Sequence, residues 1–369
     1  MDYSTDNTME SEDEDEGIYH GQTNEMGCPH GRGTTVFSNG SRFEGKFNNG
    51  VKEGRGTFFF ADGSCLSGNY IDDALFGKAI YTYEDGSKLV GTYVDGELNG
   101  PAEEFHASGD ISFRGNYTDN IRNGLCHFWD EFGGHIFGEV NESGQLSGDD
   151  IIYVYPDKET ALKGRFQDGE LIQAQLATKI SPEKKSLEFR IHIPAITFRR
   201  DVSTKEKISE QPLLSDPFEI KRTYVKKSEI SNAGEGLFAR KYIGPDEIVS
   251  FYNGVRIPHE EVDARDWRFN GNTISLDDEI VIDVPEGYSS TEVYCATLGH
   301  KANHSFTPNA KYDRFDHPRF GRIKCIRTIK SVEADEELTV EYGYDHNGLG
   351  KNNPEAPQWY KSQLKQLSS

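Results

Sequence analysis

Cysteine is scarce and scattered: Cys28, Cys65, Cys126, Cys295 and Cys325 stand in 369 residues, odd in number and never closer than 30 apart. With no C-x-x-C pair, neither a zinc site nor a disulfide framework is indicated, and buried reduced thiols are the expectation. No apolar run approaches the ~18 residues that a membrane span needs. The acidic N-terminus has neither the basic nor the apolar region of a signal peptide, so a cytosolic or nuclear protein is expected. Basic charge is short as well. The net charge is −22, and residues 1–170 carry 12 basic against 32 acidic side chains. Phosphate contact needs basic surface, so direct nucleic-acid binding is not expected. Residues 221–345 are closer to balance, with 17 basic and 22 acidic side chains. An acidic body steers lysine-rich partners toward itself, although the same charge also serves solubility.

What the chain does have is 38 glycines, 22 phenylalanines and 18 tyrosines, a mixture that points to a β-rich fold full of turns. Residues 1–20 hold eight acidic and no Lys or Arg residues, and the segment 1–30 reads as an acidic disordered tail. From about residue 31 a repeat appears: an apolar or aromatic residue, one more, Gly, one more, then Tyr, Phe or Val. It stands as Phe43-Glu44-Gly45-Lys46-Phe47, Leu66-Ser67-Gly68-Asn69-Tyr70, Leu89-Val90-Gly91-Thr92-Tyr93, Phe113-Arg114-Gly115-Asn116-Tyr117 and Ile136-Phe137-Gly138-Glu139-Val140. The central glycines lie 23, 23, 24 and 23 residues apart, and a sixth unit around Gly164 follows 26 residues later. Turn pairs such as Asn49-Gly50, Asp62-Gly63, Asp85-Gly86 and Asp95-Gly96 sit between the cores and tolerate positive φ. Each unit reads as a β-hairpin that must stack on its neighbours to bury its face. The pattern resembles the MORN repeat over residues 31–170. The period is lost in a connector, residues 171–220, with strands expected around residues 187–196.

Four strings in the last 150 residues carry the chemistry. They are Ala233-Gly234-Glu235-Gly236-Leu237-Phe238, Phe251-Tyr252-Asn253-Gly254, Asn303-His304-Ser305 and Glu337-Leu338-Thr339-Val340-Glu341-Tyr342-Gly343-Tyr344. The Gly-x-Gly precedes no long helix, so it is no dinucleotide fingerprint. Each string alone is weak, and every tyrosine has sheet packing as its ordinary explanation. In this order they resemble the SET domain of protein lysine methyltransferases, spanning residues 221–345, with residues 346–369 as a C-terminal segment closing the cofactor site. The expected fold is mainly β: stacked antiparallel hairpins, then a SET-type β fold with a short C-terminal helix.

The resemblance implies S-adenosyl-L-methionine as methyl donor and no metal. It assigns cofactor binding to Ala233, Gly234, Glu235, Asn303 and His304. Trp359 is expected to lie over the adenine, with Gln363 one helical turn later on the same face. Tyr252, His304, Tyr312 and Tyr342 are assigned to catalysis; Tyr252, Tyr342 and Tyr344 are to line the lysine channel. Asp263, Thr273 and Lys324 are further substrate contacts, each with a solvated surface role as its alternative. In this family, tyrosine at positions such as 252 and 312 goes with stopping at monomethyllysine. Many SET enzymes close the cofactor site with a zinc-binding cysteine cluster after the last tyrosine string. Here no cysteine follows Cys325, so the Trp359 helix is expected to do that work. MORN array, SET domain and zinc-free tail together resemble one subfamily, whose members monomethylate lysine four of histone three and lysines of non-histone proteins. The expected partners are therefore basic protein substrates, with no membrane, met by a monomer in the nucleus on chromosomes and also in the cytoplasm. The alternative is a MORN scaffold or binding protein with an inactive SET portion.

Overall fold

The computed structural model describes residues 17–180, 188–191, 196–266, 270–342 and 359–361. The chain divides into two compact units, Met1–His192 and Ile193–Ser369.

The first unit is a meander. Its strands run in chain order from β1 (Ile18–Thr23) to β15 (Phe189–Ile191), each hydrogen-bonded to the next. The repeat cores become the strands and the turn pairs become the corners. Between β3 (Arg42–Asn48) and β4 (Val51–Phe59), Asn49 and Gly50 both take positive φ, at 50° and 101°. That is the primed turn whose twist matches a tight hairpin. At Asp62-Gly63 and Asp85-Gly86 only the glycine turns positive. The aspartate instead accepts from the amide and hydroxyl of Ser64 or Ser87, which stabilises a wider loop.

The central glycine of each core has a packing reason. A Cβ on Gly45 would lie 2.5 Å from the Phe43 ring and 2.8 Å from the Cα of Gly56 across the ladder. The aromatic two residues before the glycine thus folds over it. Phe43, Phe47, Leu66, Tyr70, Leu89, Tyr93, Phe113 and Tyr117 make one continuous buried cluster along the meander. The Phe43 ring meets that of Tyr70 edge-on at 4.9 Å, linking one repeat to the next. The sheet also begins before the repeat signal, since β1 and the start of β2 (Pro29–Val36) occupy residues read as tail. It continues beyond the signal too: β14 (Glu170–Lys179) and β15 fall in the stretch read as connector. Neither strand carries the aromatic-x-Gly core, so the repeat pattern alone does not reveal them.

The second unit opens with a two-residue strand, β16 (Thr197–Phe198), followed by three small sheets. One has the order β17 (Thr223–Lys227), β18 (Glu235–Ala239), β26 (Glu337–Val340), β23 (Asn303–His304), with β23 parallel to β26. Another is β19 (Ile248–Tyr252), β25 (Gly321–Thr328), β24 (Ala310–His317). The third is β20 (Val255–Pro258), β22 (Ile280–Asp283), β21 (Thr273–Ser275), with the short helix α1 (His259–Ala264) between β20 and β21 in sequence. Leu237, Val249, Leu298, Ala302, Ala310, Ile326, Leu338 and Val340 form a buried cluster drawn from the first two sheets and the 298–302 turn. Residues 359–361 form a helical turn. Gln363 and Tyr344 lie outside the described residues.

Candidate active site

Three of the four strings converge because β18, β23 and β26 share a sheet, while the Tyr252 string ends β19 of another sheet. Asn303 is the hinge of that arrangement: its side-chain amide donates to the Glu235 carbonyl and to Glu337 Oε1, each at 2.9 Å. Glu337 also accepts from the Ser228 hydroxyl at 2.7 Å and the Glu229 amide at 2.9 Å, so one buried carboxylate closes the loop 228–234. Within that loop the Ser228 amide donates to the Gly234 carbonyl, and Asn232 and Gly234 take positive φ. Ala233, Gly234 and Glu235 therefore sit at a closed bend beside Asn303. No signal within any one string marks Glu337 as the partner of both segments.

Glu235, assigned to cofactor binding, also makes an ion pair within the chain. Its Oε2 pairs with Lys301 Nζ at 2.7 Å, and the Lys301 ammonium also donates to the Ser289 carbonyl. The carboxylate is thus paired with an ammonium of this chain. Lys301, buried and two residues before Asn303, was not singled out from sequence.

His304 is buried among aromatics. Its Nδ1 accepts from the Tyr342 backbone amide at 3.2 Å, which leaves the proton on Nε2. Its ring lies 5.4 Å from Tyr342, 4.5 Å from Phe306, 4.7 Å from Tyr360 and 5.9 Å from Trp359. Tyr360 is fully buried, whereas Trp359 is 45 % exposed. Tyr360 is thus the anchor of the C-terminal turn, and Trp359 keeps indole surface available beside His304.

The tyrosines fall into two contacts. Tyr252 ends β19 and meets Tyr312 of β24 edge-on at 6.0 Å. Tyr312 and Tyr342 pack on the same buried cluster of the second unit. The Tyr252 hydroxyl donates to the Asn272 carbonyl at 2.5 Å, and the Tyr342 hydroxyl donates to the Ala302 carbonyl at 3.0 Å. Each phenol thereby donates its proton to a backbone acceptor, and a hydroxyl that donates can still accept.

The three secondary candidates differ. Lys324 lies directly opposite Tyr252 across the β19–β25 ladder, half-buried, and burial followed by the Arg314 charge lowers its pKa. Thr273 opens β21 next to Asn272, with its hydroxyl donating to the Asn270 carbonyl at 2.9 Å. Asp263 is exposed on α1. His300 also lines this region: its ring stands edge-on to Tyr252 at 6.3 Å and tilts against Tyr294 at 5.6 Å. Burial, then the neighbouring Lys301 charge, push its pKa down to about 3, so it is a neutral imidazole.

This donor set fits S-adenosylmethionine. There is exposed indole beside buried rings for a purine, a bend closed by backbone groups, and a carboxylate with an adjacent ammonium for a zwitterionic, cationic ligand.

Comparison with known proteins gives three family matches and a near full-length relative. The "SET domain" family matches residues 234–343, the "MORN repeat" family matches residues 26–42, 43–65 and 67–88, and "Histone H3 K4-specific methyltransferase SET7 N-terminal" matches residues 117–190. The chain is 53 % identical to "Histone-lysine N-methyltransferase SETD7" of Halocynthia roretzi, with 97 % of this chain and 95 % of that one covered. A solved humanized mutant of the Chaetomium thermophilum Polycomb Repressive Complex 2, bound to an inhibitor, aligns at 29 % identity over 36 % of this chain and 15 % of that one. At a TM-score of 0.27 it adds nothing to the fold assignment.

Proposed function

The chain belongs to the SET-domain family of histone-lysine methyltransferases, and on that premise we propose that it transfers a single methyl from S-adenosyl-L-methionine to lysine side chains of basic proteins. Membership over nearly the full length disfavours the alternative of an inactive scaffold. The bound cofactor supplies an electrophilic methyl on a sulfonium. Ala233, Gly234, Glu235, Asn303 and His304 are the residues that would hold it, with Trp359 against the purine and Gln363 as a further contact.

The chain's own task is to present a neutral, aimed amine. A lysine pKa near ~10.4 means that neutrality at pH 7 costs about 4–5 kcal/mol. Burial lowers a lysine pKa by up to ~3–5 units, and a nearby positive charge acts the same way. A phenol with an ordinary pKa near ~10 is a poor proton acceptor at neutral pH. The proton therefore leaves to water before transfer, and the tyrosines orient what remains.

The observation that carries this reading is that the Tyr252 and Tyr342 hydroxyls both donate to backbone carbonyls. Phenol oxygens that donate in this way can act toward a lysine amine only as acceptors. An amine whose two N–H bonds go to two such oxygens has its lone pair directed away from both, and alignment of this kind supplies several kcal/mol. Tyr312, edge-on to Tyr252, narrows the space for a methylated amine, which supports monomethyl product. Tyr344 is proposed to complete the channel, and Asp263, Thr273 and Lys324 to flank it.

The substrates proposed are lysine four of histone three and lysines of non-histone proteins, met in the nucleus and the cytoplasm by a monomeric enzyme. The acidic first unit, read as the MORN domain, would draw basic tails by long-range attraction. The C-terminal turn of Trp359 and Tyr360 would close the cofactor site. The test is incubation with radiolabelled cofactor and a panel of lysine peptides, with mass spectrometry of the product. The expected result is monomethyllysine from the wild-type chain and none from His304→Ala. Trimethyl product refutes the single-transfer claim, and no transfer to any peptide refutes the reading.

A further inference from the structure

Glu219 is fully buried, stands outside every string described above, and has no place yet in the reaction. It begins the one-turn helix Glu219–Lys221. Its Oε1 accepts from the Ser250 hydroxyl, from the Phe251 backbone amide at 3.0 Å and from the Leu298 backbone amide at 2.9 Å. Phe251 immediately precedes Tyr252. Leu298 leads into the turn Gly299–Lys301 and then to Asn303 and His304. A single oxygen therefore ties the strand of the lysine channel to the segment of the cofactor site.

Two further observations concern the same junction. A Cβ on Gly299 would lie 2.6 Å from the Phe251 carbonyl oxygen and 3.0 Å from the Tyr252 Cβ, so the two segments meet without room for a methyl group. The other carboxyl oxygen of Glu219, Oε2, is buried with no hydrogen-bond partner. An ionised carboxylate needs both oxygens satisfied, and an uncompensated buried charge costs far more than a neutral group in the same place.

The surroundings favour the neutral acid. Asp216 is the charge that acts on it, and it already accepts from the amides of Phe218 and Glu219 and from His317 Nε2 at 3.1 Å. Burial holds His317 below its ordinary value; Arg319 beyond it donates to the Leu214 and Gln211 carbonyls and pairs with Asp201. Tyr294 donates to Asn253 and contacts Thr297, and Arg222 turns to Glu247. Among the described residues no cation pairs with Glu219. Burial, followed by the Asp216 charge, overrides the hydrogen bonds and raises its pKa to about 8.

We propose that Glu219 is a positioning residue for methyl transfer, a clamp that holds the Tyr252 strand at a set spacing from the Asn303-His304 segment. The proposal rests on the methyltransferase reading of that site. The protonated acid is the working form. Ionisation places an unpaired charge at the junction and loosens it.

The test uses the full chain and two variants, Glu219→Gln and Glu219→Leu, assayed on one lysine peptide from about pH 6.5 to about pH 9.5. Each rate is expressed relative to wild type at the same pH, which cancels titration of the substrate amine. Glu219→Gln keeps an oxygen for the three donors and imitates the neutral acid. It is expected within about twofold of wild type near pH 7 and to gain on wild type above about pH 8. Glu219→Leu strands two backbone amides; its kcat should fall by about tenfold or more while the peptide KM moves by less than about threefold. A Gln-to-wild-type ratio that stays flat with pH, or a Leu variant with wild-type kcat, overturns the clamp. If the Leu protein does not fold in a thermal scan, the ratio for Gln still decides. A wild-type chain that transfers no methyl sinks the methyltransferase reading and the clamp together, whereas an active wild type with a flat ratio sinks only the clamp.

Discussion

Tyr342 and His304 are joined in a fixed sense: the Tyr342 amide donates to His304 Nδ1 at 3.2 Å, while the Tyr342 hydroxyl donates to the Ala302 carbonyl at 3.0 Å. One contact sets the imidazole tautomer and the other sets the direction in which the phenol can accept. The end of β26 and the segment around β23 thus constrain each other, and the consequences can be measured.

Removing the phenol oxygen while keeping the ring isolates its role. Tyr342→Phe is expected to lower kcat by about 10–100-fold, the equivalent of about 1.4–2.7 kcal/mol, with little change in cofactor affinity. Full turnover with an unchanged pH profile would show that the hydroxyl has no part in orienting the amine.

Product multiplicity should respond to the paired rings. Tyr312→Phe removes one hydroxyl beside Tyr252 and frees space near the amine, so dimethyllysine should appear in the mass spectrum. An exclusively monomethyl product from this variant would move the limit on methylation elsewhere.

Gly236 tests the cofactor bend without touching a ligand-facing side chain. A methyl there would stand 2.3 Å from Glu337 Oε1, the oxygen that holds both Ser228 and Asn303. Gly236→Ala should weaken cofactor binding measured by calorimetry by about tenfold, the scale of losing one charge-assisted hydrogen bond. Unchanged affinity would mean that this carboxylate does not hold the bend in shape.

In the meander, Phe43→Ala should be costly because it empties a fully buried site shared by two repeats. The expected loss is about 3–5 kcal/mol in denaturant unfolding. A loss below about 1 kcal/mol would imply that adjacent repeats close over the cavity.

Acid should destabilise both units through neutral histidines. Burial holds His300 and His127 down to about 3 and His135 to about 4, while an ordinary histidine titrates at 6.5. Between 6.5 and those values the unfolded chain binds protons that the folded chain refuses, so stability falls as pH falls. Each histidine contributes at most about 1.4 kcal/mol per pH unit. Glu219 has the opposite sign: its acid form persists in the fold to about 8, so the stability it contributes declines as pH rises from 4.5 toward that value. Melting temperature followed from about pH 4 to about pH 9 should therefore peak between those limits. A His300→Phe protein with an unaltered acid slope would contradict the assignment to His300.

The repeat cores were legible because their period-two pattern and their glycine spacing are local. Phe43 lies two residues before the glycine it covers, and Asn49-Gly50 makes its own turn. β14 and β15 were not legible as part of the same sheet, because they pair in register without repeating the motif. Tyr252, Asn303, His304 and Tyr342 stood out as members of short strings. Glu219, Lys301 and Tyr360 lay outside every string, and Glu337 opened one with no sign of its partners, for a common reason: each acts on a residue far away in sequence. Trp359 was read as lying over the adenine; the buried ring of that turn is its neighbour Tyr360.

From its sequence alone, this protein determined a β-hairpin array, a second β domain and the residue types for lysine methylation. Periodicity, turn chemistry and short strings are set within a few residues of chain. Tertiary structure alone decided which carbonyl each phenol serves, which carboxylate holds the 228–235 bend, and which buried acid joins strand to loop. Those choices depend on side chains that meet across strand pairings and turns up to about a hundred residues apart, where burial makes every unpaired polar group expensive.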